Sequence, residues 1–215
     1  MDFRWRFDAS LAGGHAGNTS DRNLTMHNGS LCHSRSVIGN PVIIQGGMGV
    51  GVSGWRLARA VSQLGELGVV SGTALDQVLV RRLQDGDPGG HMRRGLDAFP
   101  FPEMAERIWH GFFVDGGKQE LQPYVRLPLH ATQESRDLQE LLMVANFVEV
   151  FLARQGHGNP VGINYLEKIR IPHLPSIYGA TLAGVDYILM GAGIPLKIPG
   201  VLDRLAHHEP ASYPL

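Results

Sequence analysis

Short apolar runs alternate with helix-like stretches along most of this chain. Val42 to Ile44 is an apolar run that follows Pro41 and leads into Gln45-Gly46-Gly47-Met48-Gly49-Val50-Gly51-Val52-Ser53. Such a run predicts a buried parallel strand, and the glycines after it let backbone approach a flat ligand with no Cβ in the way. A helix is predicted from Gly54 to Leu64, with Trp55, Leu57, Ala58, Val61 and Leu64 as its apolar stripe. Leu67 to Ser71 predicts a second strand, ending in Ser71-Gly72-Thr73. Asp76 to Leu83 predicts a second helix, stopped by Gly86-Asp87-Pro88-Gly89-Gly90. The rhythm then breaks. Before the next strand, Val161 to Tyr165, the pattern gives a helix from Pro102 to His110 and a loop at Gly116-Gly117. An extended piece from Tyr124 to Leu129 follows, then a long amphipathic helix from Ser135 to Arg154 with Ser135 as its N-cap. The rhythm returns with a helix over Pro172 to Ala183 and a strand over Tyr187 to Met190, closed by Gly191-Ala192-Gly193. Ile198 to Ala206 is a last helix, and no closing element is predicted beyond it.

Four strand–helix units predict an α/β fold with parallel strands, either an open sheet or half of an eight-stranded barrel. Segment 86–156 reads as a mostly helical insertion between units two and three. Residues 1–36 are polar and without periodicity, so they are expected to be a disordered extension, with the folded domain over 37–215.

Composition narrows the function classes. The 215 residues suit one domain, and a net charge of −1 leaves no polybasic surface to attract nucleic acid or an anionic membrane. Cys32 is the single cysteine, so an intrachain disulfide is impossible. No apolar run reaches the roughly 18 residues a bilayer span needs. Arg4, Arg6 and Asp8 interrupt any signal-peptide pattern, so a cytoplasmic location is expected. The triplets opening at Asn18, Asn23 and Asn28 then read as chance polar composition rather than glycosylation sites. His91, His110, His130, His157 and His173 lack metal-type spacing, and no zinc site is proposed.

The chemistry-bearing positions cluster where strands end. Ser71, Gly72 and Thr73 offer hydroxyl and amide hydrogen bonds to a ligand, or serve helix capping or turn chemistry. Asn164 closes an apolar strand, where an amide must find partners or be costly. Gly191, Ala192 and Gly193 either leave room for a ligand or form a plain loop. Glu167 and Lys168 read as a surface ion pair at the rim.

Pro41 to Ser53 resembles the opening strand and loop of the nitronate monooxygenase family, formerly called 2-nitropropane dioxygenases. The related flavin-dependent enoyl-ACP reductases open similarly. Leu67-Gly68-Val69-Val70-Ser71-Gly72-Thr73-Ala74-Leu75-Asp76 resembles the family's second strand, and Gly162-Ile163-Asn164-Tyr165-Leu166-Glu167-Lys168-Ile169 its third. Ala183-Gly184-Val185-Asp186-Tyr187-Ile188-Leu189-Met190-Gly191-Ala192-Gly193-Ile194-Pro195 resembles the fourth. The resemblance implies a (β/α)8 barrel of TIM type that holds FMN at the C-terminal ends of its strands. It implies oxidation of alkyl nitronates with dioxygen to a carbonyl compound and nitrite. Gly46, Gly47 and Met48 would lie against the flavin ring, with Ser71, Gly72, Thr73, Asn164, Gly191 and Ala192 around it. The family runs through eight units and this chain supplies about four. It is therefore expected to be an N-terminal piece, inactive alone, with the catalytic base and the flavin-phosphate loops beyond Leu215. Gly13-Gly14-His15 copies the family's base motif but precedes the first strand, and is rejected as the base. Two other functions stay open: an NAD(P)H-dependent enoyl thioester reductase, and a non-catalytic half-barrel that pairs with itself or a partner.

Overall fold

The computed structural model describes residues 2–5 as backbone, and residues 41–131 and 135–214 in full. It is an α/β fold. In chain order the elements are β1 (Asp2–Trp5), α1 (Trp55–Gln63), β2 (Gly68–Ser71), α2 (Leu75–Gln84), α3 (His91–Asp97) and α4 (Pro102–Phe112). Then come α5 (Arg136–Arg154), β3 (Val161–Leu166), α6 (His173–Leu182), β4 (Tyr187–Gly191), α7 (Ile198–Ala206) and β5 (Ala211–Pro214). Strands β2, β3 and β4 form a parallel sheet in that order, with Ser71 beside Asn164 and Asn164 beside Leu189.

The predicted first strand is only partly realised. Gln45 N donates to Leu67 O and Leu67 N to Ile43 O, and one parallel bridge joins Ile44 to Leu67. The backbone at 43–45 thus takes the fourth place, on the outside of β2. Yet Val42, Ile43 and Ile44 are 89%, 61% and 56% exposed, so the expected burial is overturned. Only β2 flanks this run in the described sheet, and no second neighbour covers its apolar side chains.

Helix α1 packs on β2 and β3, but through a different stripe from the one predicted. Trp55, Ala58 and Ser62 are buried, whereas Leu57 and Leu64 face outward. Ser62 is tolerated inside because its hydroxyl donates to Pro160 O at 2.7 Å and accepts from Gly68 N.

Helix α5 is the centre of the core. Its predicted amphipathic pattern gives way to burial of most of its 19 residues, because α1, α2, α3, α4 and α6 all pack against it. Ser135 does cap it, its hydroxyl accepting from Leu138 N. Gly179 lets α6 lie directly on α5: a Cβ there would run into the Met143 carbonyl. The buried polar groups of α5 are fastened to neighbours. Glu149, 3% exposed, accepts from Trp55 N at 2.7 Å at the start of α1 and from Arg82 of α2. Asn146 donates to Leu142 O, and its Oδ1 lies 2.9 Å from the Tyr165 hydroxyl. Glu140 is paired with Arg107 of α4 and with Arg136.

Three elements lie outside the predicted set, α3, β5 and β1. Helix α3 is seven residues long and starts where Asp87 Oδ1 and Oδ2 accept from Met92 N and Arg93 N. Strand β5 closes the chain's described part, pairing antiparallel with β1. Within the expected disordered extension, Asp2–Trp5 is therefore a strand. Its other residues, with Gly13-Gly14-His15 and Cys32, lie outside the described residues. The piece from Tyr124 to Leu129 forms no strand. Among the described residues no helix is long and apolar enough to cross a membrane.

Replacing Glu149 by alanine removes the acceptor for the first turn of α1 and leaves Arg82 without its counter-charge. Glu149→Ala should lower the unfolding free energy by about 3 kcal/mol, read from urea denaturation.

Candidate functional site

Because the strands run in parallel, their C-terminal tips share one rim. Gln45, Ser71, Asn164 and Met190 all lie on it. The loop after Gln45 is braced from within. Gln45 Nε2 donates to Ser53 Oγ at 3.0 Å, and Gln45 Oε1 accepts from Val69 N at 3.0 Å. Ser53 Oγ also accepts from Met48 N at 2.9 Å, and Ser71 N donates to Ser53 O. The glycine loop is thereby folded down onto the tips of β2 and β3.

Gly47 is required there on two counts. Its φ is +62°, and a Cβ would stand 2.5 Å from Val69 Cγ1 and 3.1 Å from Asn164 Cβ. Its missing side chain makes room for the sheet. The same holds at Gly72, where a Cβ would strike the Tyr165 ring, and at Gly193, where it would strike Glu167. Gly46 differs, since only Met48 Cγ comes within 4 Å of its Cβ position. Met48 is 63% exposed on the loop.

Asn164 is the polar residue these elements converge on. Its Nδ2 donates to Gly46 O at 3.0 Å and lies 3.8 Å from Met48 Sδ. Its Oδ1 is buried with no hydrogen-bond partner, 3.7 Å from the Cβ position of Gly191. Gly46, Gly47, Met48, Asn164 and Gly191 are thus brought together. Ser71 is buried beside Asn164, and Gly72 N donates to Asn164 O. Thr73 is half-buried in the turn before α2. The capping alternative for this segment is not what forms: Ala74, in a left-handed conformation, is the N-cap of α2 and makes no side-chain bond. Ala192, also left-handed at φ 60°, is exposed.

One rim residue stands differently from its sequence reading. Glu167 is not in a surface pair with Lys168. It is 5% exposed, accepts from the Tyr213 hydroxyl at 2.7 Å and pairs with Arg170. Burial, with the bond to Glu167, pushes the Tyr213 hydroxyl up to about 12. His173 is buried at the start of α6, its Nε2–H directed at Leu166 O at 3.1 Å. Burial holds its imidazole below the ordinary value, the Leu166 carbonyl and Glu167 offsetting part of the fall. Tyr165 is buried under the β3 tip, and burial raises its hydroxyl well above the usual phenol range.

A further feature had only half its signal in the sequence. Asp76, in the first turn of α2, has no exposed surface, and His130 Nε2 lies 3.3 Å from its Oδ2. The long connection 113–131 delivers that histidine. It is fixed to the far end of α2, where Val125 N donates to Gln84 Oε1 and the Tyr124 hydroxyl to Asp85. From there five extended residues reach roughly 16 Å, enough to run the length of α2 back to Asp76. Asp76 stands five positions after Ser71, so the pair flanks the tip of β2. The acid was visible as a first-turn carboxylate after a strand; its partner, 54 positions away, was not.

No family model, no curated protein and no solved structure matches this chain. The chemistry of the rim follows from its own side chains. They provide a glycine-walled floor, one buried amide oxygen lacking a donor, and a histidine–carboxylate pair to one side. Among the described residues no group of three or more His, Cys, Asp or Glu side chains is gathered as a metal centre.

Removing His130 leaves the buried Asp76 carboxylate without the imidazole that faces it. His130→Ala should cost about 2–4 kcal/mol at neutral pH, and a double-mutant cycle with Asp76→Asn should return a coupling of about 1–3 kcal/mol by urea denaturation. His173 gives a pH signature. Its folded imidazole binds a proton less readily than the unfolded one, so its contribution is complete above about pH 6.5 and is lost as the pH falls from there through the folded value. In His173→Gln that acid limb of the stability curve should flatten.

Proposed function

We propose that the rim binds the planar ring of FMN and that the chain is part of a flavin-dependent oxidoreductase of the nitronate monooxygenase type. The observation that carries this reading is the convergence of Gly46, Met48, Asn164 and Gly191 at the tips of sequentially ordered parallel strands. The ordered resemblance of all four strand segments to that family points the same way. The fold then represents the first four units of a (β/α)8 barrel, with α3, α4 and α5 in the insertion after unit two. The exposed apolar run Val42–Ile44 at one edge and Tyr187 at the other fit a sheet that continues into further strands.

The residues at the rim suit a flat heteroaromatic ring. Gly46 leaves backbone bare, Met48 offers an exposed polarisable thioether, and Asn164 Oδ1 is an acceptor in need of an N–H donor. When bound, the flavin supplies the redox chemistry. The chain's own contribution is placement. Gln45 and Ser53 hold the loop down, Asn164 orients the ring edge, and Val69 and Leu189 fill the floor beneath. His130, with Asp76 behind it, stands beside the β2 tip as a group able to hold a proton. The substrate in this reading is an alkyl nitronate, with dioxygen as oxidant.

The same rim serves an enoyl thioester reductase equally well, and the helical insertion after unit two fits a large substrate or a lid. NAD(P)H consumption with an enoyl thioester and none with a nitronate would select that second reading.

Reconstitution with FMN tests the shared part. The protein should turn yellow and hold FMN at about one per chain, and Asn164→Ala should weaken binding by about tenfold, read from flavin fluorescence. A protein that stays colourless after reconstitution overturns the proposal.

A further inference from the structure

The parallel sheet is open at both ends, and both ends are apolar. On the outer side of β2 only the run 43–45 is bonded, through Gln45 N to Leu67 O and Leu67 N to Ile43 O. Alternate residues of a parallel strand face opposite neighbours. Ile44 therefore turns its own N–H and C=O away from β2, and among the described residues neither has a partner. At the other end β4 has β3 on one side and no described strand on the other. Its residues Tyr187-Ile188-Leu189-Met190 have the composition of a strand covered on both faces. Yet each is left partly or largely exposed, whereas all of β2 is buried. Ile194 and Leu196 lie exposed in the loop that follows.

Edge strands that stay free in solution are blunted by lysine, by proline or by a charge aimed into the edge. Neither 42–44 nor Tyr187–Gly191 contains any of these. Glu66, beside the first edge, commits its carboxylate to Val42 N and Ile43 N. Val42, Ile43, Ile44, Tyr187, Ile194 and Leu196 together expose roughly 700 Å² of apolar surface per copy, so roughly 1,400 Å² in a pair, within the range of stable dimers.

The two edges fit one another. A parallel neighbour for 42–44 must present the far edge of a parallel sheet, and β4 of a second copy presents one. The contact is head-to-tail, and such contacts close only where the rotation returns to its start. Four strand places in each copy make eight in a pair, the number at which a parallel sheet closes around a core filled by side chains. We propose that two copies of this chain associate through both open edges, the run 42–44 of each lying parallel to β4 of the other, with a two-fold axis down an eight-place ring. Each copy's rim is then walled on its open side by the other's. Such a ring needs the half-barrel architecture of the reading above but no flavin.

Light scattering on a sizing column, run on the flavin-free full chain, tests the ring by mass and not by colour. A single species of twice the chain's mass is expected. Val42→Lys and Tyr187→Lys each place a charge where the side chain is already exposed within one copy. Each is present at both junctions and should weaken association by about a hundredfold, read from the mass across a dilution series. Either variant serves should the other fold poorly by circular dichroism. Leu121→Lys, at an equally exposed leucine in the connection 113–131, should leave the dimer intact. A monomer or a ladder of larger species overturns the proposal, as does a dimer that survives both edge lysines or is lost equally in Leu121→Lys. A monomer that turns yellow with FMN sinks the ring and leaves the flavin reading standing; a dimer that stays colourless does the reverse.

Discussion

The burial of α5 is the constraint on which the rest of the molecule depends. A helix covered on nearly every side has no solvent to satisfy its polar side chains, so each must bond to a neighbour or be costly. Glu149, Asn146 and Glu140 do so, and each bond fixes a different element. Glu149 sets where α1 begins and holds α2. Asn146 holds the Tyr165 hydroxyl beneath the β3 tip. Glu140 draws in α4. The polar groups of one helix thereby position the sheet, its first covering helix and the insertion relative to one another.

That positioning explains the glycines of the rim. With Tyr165 pinned by Asn146, its ring occupies the space a side chain at position 72 would need. With Val69 and Asn164 fixed in the sheet, position 47 can hold no Cβ. Several glycines that look ligand-directed in the sequence are thus demanded by the protein's own packing. Gly46, Met48 and the Asn164 amide oxygen are not explained that way, and they are what the rim has to offer a ligand.

Much of the fold was legible because period and punctuation agree. Trp55–Gln63, Gly68–Ser71, Val161–Leu166, Tyr187–Gly191 and Ile198–Ala206 lie within a residue or so of their predicted bounds. Ser135 was readable as a cap because its side chain acts on the adjacent turn. What failed depended on distant partners. Val42–Ile44 has strand composition, but a strand needs neighbours, and among the described residues only Leu67 bridges it. The apolar stripe of α1 was misplaced because Ser62, polar in sequence, finds Pro160 O in the interior. Helix α3 is short and opens with Gly89 and Gly90, and its stability comes from the Asp87 carboxylate and from packing on α5. The same limit applies to the sites. Asn164 was found as a polar residue ending an apolar strand. His130 and Glu167 acquire meaning only through contacts made 40 or more positions away.

The rim is joined by one run of contacts to the polar cavity between Arg56, Arg82, Asp85, Asp87 and His91. Arg82 lines the cavity and holds Glu149; Glu149 accepts from Trp55 N; and Trp55 follows directly on Ser53-Gly54, where Ser53 braces the glycine loop against Gln45, Met48 and Ser71. Position 54 is a glycine at the point where these meet, its Cβ site 3.1 Å from Glu149 Oε1 and 3.3 Å from Arg82 Nη2. A side chain there would press on a carboxylate already committed to two partners. The segment from Gly46 to Arg56 therefore serves both places at once, its first half flooring the rim and its last residue closing the cavity. Its sequence is constrained from both sides, which accounts for so dense a run of glycine and small residues in a loop of modest length.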